Sequence, residues 1–235
     1  MANIVENANT DNNSGDNVTK RNRVTELTVT NIPVKCRFAP YWLNSKYGNI
    51  GIAALPGRSK SGQIKDLLFR DLGLLSNQAV TDIFLFCTVR EISTLPNSDF
   101  KIAAGNYGIT VHHYPIQIGL HPTVENCTAI HEHMEKCLKS NKCIIGVSRN
   151  GFGRASTIMA TYILNQKWNM TPDDAMDEIR EYRGHPAIQT IKQYNFLHEY
   201  HAYIDNTFRK DKQKNKNSDG GGYTKVSSKR TLATP

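Results

Sequence analysis

The sequence has no apolar run long enough to cross a bilayer. Its longest, such as Ile83–Cys87 and Cys143–Val147, fall far short of the roughly 20 residues a spanning helix needs. Met1–Asp16 does not read as a secretory leader either, because it is rich in Asn and Asp where a leader is basic and then apolar. Cysteine is scarce and unpaired: Cys36, Cys87, Cys127, Cys137 and Cys143 make an odd number with none of the close pairs that hold zinc. Thiols in that pattern suit the reducing cytosol or nucleus, and most read as small buried side chains. No internal repeat is evident. These absences leave an intracellular globular chain, cytoplasmic or nuclear, as the expectation.

What is present fits one domain with disordered ends. At 235 residues, 39% hydrophobic and 9% aromatic, the chain can bury a single ordinary core. Residues 1–24 are polar, Asn-rich and aperiodic, and residues 208–235 are Lys-rich around the run Gly220 to Gly222. Neither offers enough apolar surface to offset the entropy of ordering, so both read as disordered flanks of a domain over 25–207. The formal charge of +8 is concentrated in the tail, where Arg209 to Arg230 carries eight Lys or Arg against two Asp.

Between the flanks, short runs alternate with helical spacing. Ile50–Leu55, Thr81–Cys87, Ile109–Tyr114 and Cys143–Val147 are mostly β-branched, aromatic or otherwise apolar and end in loops, as buried strands do. In the intervening segments Ile64, Leu67, Leu68, Leu72 and Leu75 share one face, and Val124, Cys127, Ile130, Met134 and Leu138 share another. The alternation predicts an α/β fold, a central mostly parallel sheet flanked by helices. After Arg154 the pattern is helical throughout: Ala155–Gln166, a helix with Thr171 as N-cap and Pro172 at its first position, and a third at about 187–203.

In an open α/β sheet, ligands bind beyond the carboxyl ends of the strands. The loop after Val147, Ser148-Arg149-Asn150-Gly151-Phe152-Gly153-Arg154, lies at such an end. Its glycines let the backbone amides turn inward, the following helix start adds positive potential, and Arg154 can supply a guanidinium fork, so the loop can wrap an oxyanion. An ordinary strand-to-helix turn with a solvated arginine is the bland alternative, and Gly-x-Gly by itself favours it. A family resemblance decides between them. The stretch Cys143 to Leu164 resembles the signature of cysteine-dependent protein phosphatases, in which His-Cys is followed by five residues, Arg, and Ser or Thr. More narrowly, the chain resembles the cyclin-dependent kinase-associated phosphatase (cyclin-dependent kinase inhibitor 3) family of dual-specificity enzymes. The likeness spans about residues 48–203. It includes Ala54-Leu55-Pro56-Gly57, Asp82-Ile83-Phe84-Leu85-Phe86-Cys87-Thr88, His112-His113-Tyr114-Pro115-Ile116, Gly151-Phe152-Gly153-Arg154 and Ala187-Ile188-Gln189-Thr190-Ile191-Lys192-Gln193-Tyr194-Asn195, in that order.

The resemblance implies a dual-specificity phosphatase fold whose catalytic signature is broken at four places. Ser148 stands at the family's cysteine and Val147 at the histidine before it. Ala155 stands at the hydroxyl residue after the arginine, with Ser156 one place late, and Ile118 stands at the aspartate of the acid loop that follows Tyr114-Pro115-Ile116. A low-pKa thiolate is ionised near neutral pH, whereas an alcohol needs a base to activate it, and Ile118 cannot protonate a leaving oxygen. A lone Cys-to-Ser change would read as an engineered trap; four departures together read as a natural pseudophosphatase with no catalytic residue intact. The expectation is a cofactor-free binding module that holds a phosphoprotein on Ser148 to Arg154, with a cyclin-dependent kinase as the partner the resemblance implies. A weakly active dual-specificity phosphatase is the alternative. A chain whose basic tail determines its partners is a third.

Other features read blandly. Cys143 and Arg149 also satisfy a Cys-x5-Arg spacing, but Ile144-Ile145-Gly146-Val147 continues a strand and cannot wrap a phosphate. His112 and His113 alternate along a strand, and His131 and His133 lie two apart on a helix, so neither pair makes a metal site. The family grips its kinase partly through the C-terminal helical region. That makes Gln189, Lys192, Gln193 and His198 the exposed docking candidates, with Ile188, Ile191 and Leu197 as core. The Lys-rich run from Arg209 to Arg230 lacks interleaved aromatics apart from Tyr223, which argues against single-strand nucleic-acid binding, and a monomer is expected.

Overall fold

Strand residues point alternately to two apolar layers, and this period of two organises the molecule. The computed structural model describes residues 41–45, 48–58, 67–95, 99–167 and 169–219. Segment 1–24, Cys36, Ile64 and the tail from 220 onward lie outside the described residues. Five strands form one sheet in the order β1-β2-β5-β3-β4. They are β1 (Tyr41–Ser45), β2 (Gly48–Ala54), β3 (Asp82–Leu85), β4 (Thr110–His113) and β5 (Ile144–Ser148). The last four run parallel, and β1 pairs antiparallel with β2 at the edge.

Parallel neighbours need crossover connections, and helices supply them on both faces. On one face Ile50, Ile52, Phe84, Phe86 and Ile144 pack beneath α4 (Val124–Lys139), α5 (Arg154–Gln166), α6 (Pro172–Arg183) and the start of α7 (Ile191–Asp219). On the other, Ala53, Ile83, Leu85, Ile145 and Val147 pack against α1 (Leu67–Asn77) and α3 (Phe100–Gly105). A short α2 (Val89–Ile92) follows β3. Thr171 caps α6 through the Asp174 amide and Pro172 opens it, as expected from the sequence.

The sequence pattern misses three elements. Strand β1, Tyr-Trp-Leu-Asn-Ser, alternates too briefly to stand out. Helices α2 and α3 are four and six residues long and too short for a 3.6-residue period to register. The last helix begins at Ile191, not Ala187, because Ile188 has φ +62°, which no α-helix accommodates. It also continues to Asp219, through the first part of the segment assigned to the tail. No helix of the described residues is long and apolar enough to cross a membrane.

Candidate functional site

Strand β5 delivers the loop Ser148 to Arg154 to the carboxyl edge of the sheet, where α5 begins without a side-chain cap. An uncapped start leaves the first helical amides facing outward. Ala155 N–H donates to Ser148 Oγ at 3.3 Å and Gly151 N–H to the Ser148 carbonyl at 3.1 Å. The amides of Asn150, Phe152, Gly153 and Arg154 have no protein acceptor among the described residues. Amides ranged along a loop at a helix N-terminus form an anion nest.

The loop is fixed from outside by contacts to its backbone. Gly151 adopts φ +71°, and a Cβ there would lie 2.9 Å from the Ala53 backbone of β2, so only glycine fits. Arg58 Nη1 donates to the Arg149 carbonyl at 3.3 Å, and Ser156 Oγ donates to that of Gly151 at 2.8 Å. Ser156 is therefore committed to the loop's own scaffold and does not take the place of a hydroxyl at 155. Arg183 Nη2 donates to the Asn150 carbonyl at 2.5 Å while its guanidinium lies 3.9 Å over the Phe152 ring. Ile188 N–H reaches the Phe152 carbonyl at 2.7 Å. A β-branched residue at φ +62° costs on the order of 1–3 kcal/mol, and here that conformation aims an amide at the loop.

The resulting pocket is lined by Ser148, Arg149, Asn150, Gly153 and Arg154, with Ile118 and Gly119 from one side and Gln189 and Gln193 from another. Of the predicted cradle residues, Gly151 and Phe152 therefore support the loop from behind. Among the described residues no carboxylate, imidazole or thiol lines the pocket.

Arg154 is 5% exposed, and one fork of its guanidinium is already taken. Nη1 and Nη2 pair with Glu91 Oε2 and Oε1 at 2.6 and 2.7 Å, and Nη1 also reaches the carbonyls of Phe86 and Ile116. The sequence predicts the fork free for a ligand; the structure leaves the Nε edge for one. Glu91 is the residue sequence reasoning missed. Its signal was present in Thr88-Val89-Arg90-Glu91, the pattern of a capping box, and both capping bonds form. Burial pushes the Glu91 pKa up, but hydrogen bonds from Arg154 and the Thr88 amide outweigh it and hold the carboxyl at about 2.

The four altered positions have different surroundings. Ser148 is buried beneath the pocket, and its Oγ has the Ala155 amide as its partner. Val147 and Ala155 are wholly buried, one in each apolar layer. Ile118 is 66% exposed at the pocket mouth. Cys87 lies two residues beyond β3, near Arg154, but does not line the pocket, and burial pushes its thiol up to about 12. Cys143 precedes β5, with its thiol pushed up to about 11 by burial. Neither supplies the low-pKa thiolate that Ser148 lacks.

The docking candidates separate. Lys192 and His198 are exposed on α7. Gln189 is exposed and lines the pocket, and Gln193, expected on the surface, is 1% exposed. Gln193 Oε1 accepts from the Gln189 amide at 3.0 Å and Nε2 donates to the Leu120 carbonyl at 3.2 Å. Ile191, expected in the core, is 79% exposed. The inversion follows from the late start of α7, whose phase counts from Ile191. Of the histidine pairs, His131 is fully buried against Tyr200 and the Ile158 carbonyl, and burial lowers its pKa to about 4. His113 Nε2 bonds the Cys87 carbonyl at 2.7 Å.

A family model described as cyclin-dependent kinase inhibitor 3 (CDKN3) matches residues 21–176. The cyclin-dependent kinase inhibitor 3 of Rattus norvegicus is 36% identical over 151 residues, covering 64% of this chain and 71% of that one. Among solved structures, a kinase-associated phosphatase carrying serine in place of its catalytic-site cysteine superposes with a TM-score of 0.64 at 33% identity. The match covers 72% of this chain and 96% of that chain. The active form of Tk-PTP, at 18% identity and a TM-score of 0.57 over 69% of this chain and 96% of that one, shares the fold.

Proposed function

Because the chain belongs to the cyclin-dependent kinase inhibitor 3 family, with its phosphatase fold, we propose that it is a catalytically inactive member that binds a phosphorylated residue on a protein partner, a cyclin-dependent kinase by the family's naming. The observation that carries this reading is the composition of the pocket. It offers a cationic guanidinium edge, outward amides and two carboxamides to an anion. Its described lining has no group that could take or give a proton near neutral pH. Ser148 Oγ accepts from an amide and, among the described residues, has no base in reach to deprotonate it. At the mouth, where an acid would protonate a leaving oxygen, stands Ile118.

Binding does not depend on the missing thiol. A neutral hydroxyl repels a phosphate dianion less than a thiolate would, and amides and Arg154 keep their places through protein contacts. Beside the pocket, Ile191, Lys192 and His198 present an exposed strip of α7 for the partner that carries the phosphate. The same reading places a monomer in the cytosol or nucleus, where its thiols stay reduced.

The test is calorimetry with a phosphothreonine peptide from a kinase activation loop, paired with a phosphate-release assay. Charge-assisted hydrogen bonds to the phosphate should make the phosphorylated form bind about ten- to a hundredfold tighter than the unphosphorylated one. No phosphate should be released above a buffer control. Equal affinity for the two peptides, or steady turnover, would sink the proposal.

A further inference from the structure

A second cluster lies away from the phosphate pocket, between β4 and α4. The ligating atoms of His112, His133 and Cys137 all lie within 4.8 Å of one another, and the two imidazoles stack edge to face with centroids 4.3 Å apart. No motif spacing announces this group. His112, on β4, and His133, on α4, come from different sequence pairs and meet ring to ring in the fold, while His133 and Cys137 are four apart and share one helix face.

One nitrogen of each ring is held by an oxygen. His112 Nε2 bonds Asp82 Oδ1 at 2.6 Å, and His133 Nδ1 bonds the Tyr114 hydroxyl at 2.7 Å. The other nitrogen of each ring has no hydrogen-bond partner among the described residues. Oxygen partners of this kind fix the tautomer and orientation of metal-binding histidines. Asp82 itself is fully buried, and its Oδ2 has no hydrogen-bond partner, so an additional cation nearby would be welcome. Lys142 Nζ, 3.1 Å from Asp82 Oδ1, competes for that role, but its side chain is 41% exposed and can swing into solvent.

We propose that His112, His133 and Cys137 bind a divalent transition-metal ion of zinc's type, with Asp82 and Tyr114 as outer partners and water at the fourth position. Two imidazoles and a thiol suit a borderline-soft ion over calcium or magnesium. Tetrahedral zinc, with bonds of about 2.0–2.3 Å, needs its ligand atoms roughly 3.3–3.7 Å apart, so small side-chain rotations close the site. Cys137 would give up its proton to solvent on binding. The ion would clip α4 to the sheet and so act on the fold, with no role in phosphate chemistry.

The test uses metal-free, full-length protein titrated with Zn²⁺ against a chromogenic chelator, and with Co²⁺ for the absorption of a cobalt–thiolate bond. Wild type should take up one ion, show that absorption, and melt at a higher temperature with Zn²⁺ than without. Asp82→Asn should weaken uptake by about 10–100-fold, the usual cost of an outer partner. His133→Gln and Cys137→Ser should weaken it further and abolish the absorption, and His185→Gln should change nothing. His133 is only partly buried, so its variant carries the test if Cys137→Ser does not fold. An absent cobalt–thiolate band in wild type, or uptake undiminished in His133→Gln, overturns the proposal.

Discussion

The loop from Ser148 to Arg154 and the segment from Ile118 to His121 face the same pocket, and they differ in what their side chains contribute. In the first, positions are fixed through backbone carbonyls by Arg58, Arg183, Ser156 and Ile188, with Arg154 locked to Glu91. The second is also held: Thr190 Oγ1 donates to the Gly119 carbonyl at 2.9 Å, and the His121 ring stacks on Phe196 at 4.3 Å. Both segments therefore keep a defined geometry. The first presents amides and a cation to the pocket, while the second presents Ile118. On the function proposed above, the site keeps the shape of a phosphate cradle without the proton-transfer chemistry, because different atoms build the two. Amides and one buried ion pair make the shape, and a handful of exchangeable side chains make the chemistry.

The strongest way to break the loop's side of this comparison is Arg154→Ala. It leaves Glu91, 3% exposed, without its cation, and removing one partner of a buried pair costs about 3–5 kcal/mol. Urea unfolding at pH 7 should show a loss of that size, whereas a loss below about 1 kcal/mol would mean the pair is not structural. The acid side sharpens the test. With its folded pKa at about 2, below the unfolded value of about 4.3, Glu91 contributes stability that is fully present above pH ~4.3 and is lost as pH falls toward 2. In Arg154→Ala the buried carboxyl has no cation, its folded pKa rises, and this decline should flatten or reverse. Arg154→Ala is accordingly a poor probe of phosphate affinity alone, since it disturbs the fold.

Gly151→Ala comes next in size. The added methyl would meet the Ala53 backbone at 2.9 Å in a conformation with φ +71°. The expected loss is about 1–3 kcal/mol, with the preference for phosphorylated peptide reduced while the Arg154–Glu91 pair stays intact. Thermal melting and the calorimetric comparison check the two halves separately. An unchanged melting temperature would show that β2 does not clamp the loop.

Much of this was legible in the sequence, and the failures have physical reasons. Four parallel strands and the helices α1, α4, α5 and α6 follow from runs and spacings long enough to carry a period. The cradle follows from glycines at a strand-to-helix junction. The capping box marks Glu91 locally, but its pairing with Arg154 is not legible, because the two lie 63 residues apart and no local pattern encodes a pair across that distance. Gln193 and Ile191 were exchanged between surface and core because one strained residue, Ile188, resets the start of α7. In the sequence His112 and His133 each sit beside a different histidine, whereas the fold brings them to each other.

The smallest effect expected on stability belongs to the pocket's apolar rim, and there the second segment of the comparison can be tested. Ile118 and Ile191 are 66% and 79% exposed, and the Thr190–Gly119 hydrogen bond ties their chain segments together beside the pocket mouth. Exposed side chains of this kind contribute little to folding, so Ile118→Ser and Ile191→Ser should each change stability by no more than about 0.5 kcal/mol. A bound peptide with an apolar residue next to its phosphothreonine would cover part of this surface. Fully burying an isoleucine is worth about 1.5–3 kcal/mol, and covering a third to a half of one about 0.5–1.5 kcal/mol, or roughly two- to tenfold in affinity. Each variant should therefore lose a few-fold in affinity for a peptide with an apolar flank and almost nothing for one with a glycine flank. Ile102, 65% exposed on α3 and outside the pocket lining, provides the control. If Ile102→Ser weakens binding as much as the rim variants do, or if the flanking residue makes no difference, Ile118 is inert filling where an acid is missing, and the rim takes no part in recognition.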